Sequence, residues 1–261
     1  MAFEMIRFEV AAGIATILLN RPERLNSAPP QMFDEIADAL DQLGGARALL
    51  ITGAGRAFCS GADLGVRQDR DSSSPGQWAY RALARHYGPT MLKLSKLCIP
   101  VVCAVNGPAV GIGCSIALAG DLVIAGKSAY FLQAFINVGL IADGGASWTL
   151  PRLIGKARAA EMMMLGERIG ADKAAEWGLI YRCVEDADLL AEAHSLAVRL
   201  AGGPTTALGV IRQNLAWALE TDYASALTRE AEGQRAAANT LDAAEGKKAF
   251  QEKRKPEFKG I

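Results

Sequence analysis

The sequence of 261 residues predicts an α/β fold on three observations. Short β-branched apolar runs alternate with stretches of helical spacing, joined by short links, over residues 1–200. In the middle, residues 101–121 (VVCAVNGPAVGIGCSIALAGD) open as an apolar strand, turn through Asn106-Gly107-Pro108, pass Gly111 and Gly113, and continue as a short helix that Gly120 stops. Toward the end only helical spacing is left, which sets residues 201–261 apart as a helical C-terminal region.

Residues 5–10 and 14–19 are two strands joined at Ala11-Ala12-Gly13 as a hairpin. The polar loop NRPERLNS follows, and Pro29-Pro30 then open a helix with Met32, Phe33, Ile36, Ala37, Leu40 and Leu43 at helical spacing, ended by Gly44-Gly45. Residues 48–52 form a buried strand. Beyond the central stretch, helices are expected over residues 148–153, 156–165 and 171–177, then a strand over 179–184. The tail reads as helices 189–200, 205–219, 223–238 and 241–253, broken at Gly202-Gly203-Pro204.

Composition narrows the function classes. With 51% apolar residues the chain buries a sizeable core, and 28 basic against 28 acidic side chains argue against a nucleic-acid or anionic-membrane partner. Cys59, Cys98, Cys103, Cys114 and Cys183 are odd in number and show no C-x-x-C spacing, so buried free thiols in a reducing compartment are expected. The charged start MAFEMIRFEV lacks the apolar core of a signal peptide, and a cytoplasmic location is expected. Residues 97–120 carry no charge, yet Pro100, Asn106-Gly107-Pro108 and four glycines interrupt any membrane-spanning helix.

A second glycine-rich stretch, TGAGRAFCSGADL, follows the strand at 48–52, and its small residues let a ligand approach main-chain N–H groups. It is no Walker loop, because no Gly-Lys-Ser/Thr follows at the right distance, and Gly155-Lys156 has Leu150 where the first glycine belongs. A dinucleotide fingerprint fails as well, since Cys114, Ser115 and Ile116 follow Gly111-Ile112-Gly113. The helix that starts near Gly111–Gly113 has first-turn N–H groups without helical partners, a natural seat for an oxyanion. Alternatively, those glycines serve only close packing.

Taken in order and at their separations, NRPERLNS, TGAGRAFCSGADL, AVNGPAVGIGC and GLIADGG resemble the crotonase superfamily of enoyl-CoA hydratases and isomerases. The resemblance implies a spiral of ββα repeats with a C-terminal helical oligomerisation region, and a homotrimer or dimer of trimers. It implies an acyl-CoA thioester as substrate, with coenzyme A carried by the substrate and no separate cofactor or metal. Two backbone N–H groups would bind the thioester oxygen, by position those of Ala62 and Ile112. CoA would lie along Arg24, Leu25 and the main chain of Ala62, Asp63, Leu64 and Gly65, with Gly111 and Phe135 beside the acyl group. Fixed donors aimed at developing charge are each worth about 2.7–4 kcal/mol of transition-state stabilisation. Near the C-terminus, Lys253, Lys255, Phe258 or Lys259 would reach CoA from an adjacent subunit, although the basic run also reads as a solvated end.

Hydratases of the family use two glutamates, at positions where this chain has Ser115 and Phe135, so the paired acid/base groups that water addition needs are missing. Asp143 is the carboxylate left. One reading makes it the N-cap of a helix through Ala146 to Leu150. The other makes it a desolvated base among Leu140, Ile141, Phe135 and Trp148. The second matches single-carboxylate isomerases of the family, and GLIADGG is most similar in look to its epoxyphenylacetyl-CoA and enoyl-CoA isomerase members. A 1,3-proton shift is then expected, with Asp143 removing and returning the proton; an epoxide rearrangement suits the same groups.

A dehalogenase-type reaction would need an upstream histidine, and His86 falls two positions off, about 200° around a helix. His86 and His194 are expected at the surface. A polar loop is expected at residues 69–75 beside the acyl pocket, and Trp78, Tyr80 and Tyr87 either line that pocket or, as aromatics at helical spacing more often do, belong to the core. From other classes, a non-catalytic acyl-CoA binder is favoured by Ser115 and Phe135 and opposed by Asp143. RNA binding, known in some relatives, is opposed by the neutral charge balance.

Overall fold

The computed structural model describes residues 3–63, 65 and 74–261. Strands β1 (Ile6–Ala11) and β2 (Ile14–Leu19) form the antiparallel hairpin, and helix α1 (Pro30–Asp41) buries Met32, Phe33, Ile36, Ala39 and Leu40 as one stripe. Strand β3 (Ala48–Gly53) is followed by helices α2 (Pro75–Ala82) and α3 (Gly88–Ser95), which a π turn over Leu83–Tyr87 connects. The central stretch resolves into β4 (Val101–Val105), β5 (Pro108–Val110) and α4 (Ile112–Leu118). Then come β6 (Leu122–Gly126), β7 (Tyr130–Leu132), a 3-10 turn over Ala134–Val138, and α5 (Ala146–Ala160), which breaks at Gly155. Strand β8 (Ile169–Gly170), helix α6 (Ala171–Glu176) and strand β9 (Arg182–Val184) close the sheets. Helices α7 (Leu189–Ala201), α8 (Thr205–Ala218), α9 (Tyr223–Ala238) and α10 (Leu241–Gln251) end the chain.

The large sheet has the order β1-β2-β3-β4-β6-β9, and the small one β5-β7-β8. From β4 onward the chain alternates between the two: β4 large, β5 small, β6 large, β7 and β8 small, β9 large. Isolated bridges Ala28–Ala62 and Cys59–Ala109 carry that alternation back toward the N-terminus. This is the spiral of the expected fold class. Strands β3 and β4 are buried throughout, as parallel strands covered on both faces require. Ala193, Ala197 and Ala201 of α7 cover one face, against Ile14, Leu50, Val102 and Ile124; the other face meets the main core with Phe33, Phe58 and Phe131.

The C-terminal helices are tied down by two arginines. Arg212, only 9% exposed, donates from Nε to Asp121 at 2.7 Å and from its terminal nitrogens to the carbonyls of Leu94, Ser95 and Leu97, closing the end of α3. Every donor direction it uses meets an acceptor, which makes its burial tolerable. Arg47 donates to Thr205, Gly203 O and Phe258 O. Asp242, buried on α10, accepts the N–H groups of Lys259 and Gly260 at 2.6 and 2.8 Å. The backbone of the basic end is therefore pinned at Phe258–Gly260, while Lys253, Lys255 and Lys259 remain exposed as the charge run suggested.

Other expectations shift. The strand expected over residues 179–184 shortens to β9, because Leu179 and Ile180 are buried in the turn after α6. Cys59, Cys103 and Cys114 are buried, but Cys98 is exposed, in the link between α3 and β4. Among the described residues, no helix is long and apolar enough to cross a membrane.

Candidate active site

Two chain segments lie side by side at one end of the sheets. Cys59 N donates to Pro108 O at 3.0 Å and Val110 N to Cys59 O at 2.9 Å, which zips residues 59–62 against 108–112. The contact is close enough that a Cβ on Gly113 would fall 2.8 Å from Cys59 Sγ. On the outer side, Ala28 N donates to Gly61 O and Asp63 N to Ala28 O, at 2.8 and 3.2 Å. The residue between, exposed Ala62, thereby turns its own N–H away from that bridge.

Gly111 makes the opposing corner. Its φ of +53° sits where L side chains are strained, and its N–H is spent on Leu132 O at 2.7 Å. The chain then enters α4 at Ile112, whose side chain is wholly buried and whose N–H stands first in the helix, beyond the reach of any intrahelical acceptor. The ring of Phe135, from the 3-10 turn after β7, faces this corner; a Cβ on Gly111 would stand 3.3 Å from its Cζ.

Asp143 approaches the same turn of α4 from the far side. Ser115 Oγ donates to Asp143 O at 3.0 Å, and a Cβ on Gly144 would lie 2.7 Å from Ser115 Cβ, so this backbone packs directly on the helix. Gly144 and Gly145 take φ of +61° and +87°, and Gly145 occupies the N-cap of α5 with no side-chain capping bond. The capping reading of Asp143 is thereby corrected: two left-handed glycines lie between it and the first helical residue. Its Oδ1 is buried and has no hydrogen-bond partner, and desolvation pushes the carboxyl up to about 6. Tyr87, buried nearby with its hydroxyl on Ala28 O at 2.9 Å, has its phenol raised by burial and then by the charge of Asp143.

The remaining predicted residues divide. Leu25, at φ +52°, gives its carbonyl to Ser60 N at 3.0 Å, and Arg24 stands exposed beside it. Burial alone would raise the Asp63 carboxyl, but the hydrogen bond and charge of Arg21 at 2.9 Å, with Gly65 N–H at 2.9 Å, hold it below the usual range. Leu64 and residues 69–73 of the predicted loop lie outside the described residues, and Ser74 caps α2. Trp78 is half-buried on the core, whereas Tyr80 is 66% exposed. His86 stands at the surface with Nδ1 2.8 Å from Asp34 Oδ1, and His194 is exposed on α7. Among the described residues, no group of three or more His, Cys, Asp or Glu side chains could hold a metal ion.

The enoyl-CoA hydratase/isomerase family model matches residues 9–261. The chain belongs to that family. It is 44% identical to the 1,2-epoxyphenylacetyl-CoA isomerase of Escherichia coli over 98% of this chain and 99% of that protein. It is 41% identical to a probable enoyl-CoA hydratase of Rhodobacter capsulatus over the full length of both. Among solved structures, a putative enoyl-CoA hydratase/isomerase from Mycobacterium abscessus superposes with a TM-score of 0.92 at 37% identity, covering 98% of this chain and 100% of that one.

In this member of the enoyl-CoA hydratase/isomerase family, several residues that hold the site escaped the motif reading. Asn26, fully buried at φ +54°, accepts Arg21 N and donates to the carbonyls of Ala54 and Ala57. Asn106 does the same for Gly53 and Gly55. Both are turn asparagines within the stretches NRPERLNS and AVNGPAVGIGC, but neither motif tells which distant carbonyls they hold. Gln133 is 1% exposed with neither amide atom partnered, and nothing in its sequence surroundings marks it.

Proposed function

We propose that the protein is an acyl-CoA isomerase that shifts a double bond, or rearranges an epoxide, through a thioester enolate, with Asp143 as the single acid/base group. The observation that carries this reading is the Asp143 carboxyl: half-buried, with Oδ1 shielded from solvent and without a partner, and pushed up to about 6 beside the first turn of α4. A base poised near neutral pH both takes and returns a proton effectively. Asp143 would remove a proton from the acyl chain, the electron pair would move onto the thioester oxygen, and the N–H groups of Ala62 and Ile112 would stabilise that charge. The same carboxyl would deliver the proton two carbons away, leaving the double bond moved and the enzyme unchanged. Arg24, Leu25 and the main chain of residues 62–65 would carry the CoA portion, and Phe135 would bound the acyl group.

The E. coli relative's name supports a substrate on the epoxide side of this choice, and the R. capsulatus relative's name supports water addition. Against hydration stands the hydroxyl of Ser115, which is committed to Asp143 O, and the ring at Phe135. For assembly we propose a trimer or paired trimers formed through residues 201–261, where Leu215, Tyr223, Leu241 and Phe250 are 67–86% exposed apart from the rest of the core.

The test is turnover of 3-enoyl-CoA and 2-enoyl-CoA by wild type and Asp143→Asn in deuterated water. Double-bond movement with deuterium exchange by wild type, and a loss of at least about 100-fold in Asp143→Asn, is the expected result. Ready hydration by wild type, or an unimpaired Asp143→Asn, sinks the reading.

A further inference from the structure

We infer that Ser115 is a positioning residue for Asp143, its hydroxyl clamping the Asp143 carbonyl so that the carboxylate is held at a set place over the first turn of α4. The inference rests on the reading of Asp143 as the acid/base group. Ser115 is 5% exposed, and its Oγ lies 3.0 Å from Asp143 O, 28 residues further along the chain. A serine inside a helix ordinarily turns its hydroxyl back to the carbonyl one turn earlier. Here Gly111 O accepts Ser115 N, and the hydroxyl instead reaches out of the helix.

The clamp matters because so little else holds the base. Oδ1 of the carboxyl is unpartnered, as a desolvated base requires, so precision has to come from the main chain. Downstream, Gly144 and Gly145 are the two residues with the widest backbone freedom. Upstream, Gly139 N and Leu140 N bond the 3-10 turn at Ile136 O and Phe135 O, and the described backbone bonds then skip to Ala146 N, on Asp143 O at 3.1 Å. Ser115 thus supplies the side-chain anchor at residue 143 itself. It stands three residues after Ile112 on the same face of α4, and Gly144 packs against both side chains. The oxyanion donor and the base are tied through one helical turn.

Steady-state kinetics on 3-enoyl-CoA with Ser115→Ala, Asp143→Asn and the double variant test this, alongside the Kd for butyryl-CoA, which cannot isomerise. Ser115→Ala is expected to lower kcat about tenfold while KM and the butyryl-CoA Kd move less than about twofold. In the Asp143→Asn background the same change is expected to lower the residual rate less than about twofold, because a clamp without its base has nothing to position. The pair Ser115→Thr and Ser115→Val repeats the comparison with the cavity filled, and Thr is expected to be faster by about the same tenfold. A Ser115→Ala enzyme with wild-type kcat, an equal loss in both backgrounds, or equal rates for Thr and Val overturns the inference. An active Asp143→Asn overturns instead the reading of the base on which it rests.

Discussion

The two sides of the site are built on opposite plans. Residues 59–63 and 108–112 are stitched to each other and to the loop at 21–28 by backbone ladders, the asparagines at 26 and 106 and the Arg21–Asp63 ion pair. Residues 139–145 are held by a few bonds, include three glycines at positive φ, and present a carboxyl oxygen with no partner. Groups that stabilise charge through N–H dipoles have to be immobile before the reaction begins. A group that exchanges protons has to be kept away from the bonds that would lower its pKa. Rigidity on one side and deprivation on the other are the two ways this chain prepares a site.

Breaking the stitched side has the largest expected effect. Gly113→Ala forces a methyl into Cys59 and should cost about 3 kcal/mol of folding free energy, read by denaturant unfolding, with activity lost in parallel. Arg21→Ala should cost about 2 kcal/mol at pH 7 by stranding a half-buried carboxylate. Because the folded-state pKa of Asp63 is lowered, that contribution is fully present above the ordinary carboxylate range and is lost as pH falls through the lowered value, so the variant and wild type should draw together in acid.

The deprived side should respond in the opposite direction. Asp143 has a raised folded-state pKa, so its ionised form destabilises the fold above about pH 6, and the penalty fades as pH falls through that value. Asp143→Asn should therefore gain about 1–2 kcal/mol at pH 8 and nothing at pH 4, while activity is lost. A variant less stable than wild type at pH 8 would contradict the account of a destabilising base. Smallest is His86→Gln, expected to leave kcat/KM within about twofold, since His86 pairs with Asp34 at the surface. A large loss there would revive the aryl-displacement chemistry.

Long apolar runs such as residues 48–53 and 101–105 announced the large sheet, and the helical tail was legible almost residue by residue, because α7 to α10 keep their spacing without interruption. The small sheet was not, since β5 and β7 have three residues each and owe their form to partners in the next turn of the chain. Asp143 and Phe135 were visible as residues, and the structure brings both to the corner at Gly111 and α4. The roles of Arg21, Asn26 and Asn106 were not visible, because the partners they fasten are distant in sequence: the Asp63 carboxyl for Arg21, and the backbone of residues 53–57 for the two asparagines.

The alternation of the chain between two sheets also orders the site along the sequence. Residues 59–63 pair with 28 and then with 108–110, Gly111 docks on Leu132, and Asp143 meets Ser115 last. Each turn of the spiral is thus laid on one that precedes it in the chain, and the carboxyl whose charge burial penalises belongs to the last of these segments.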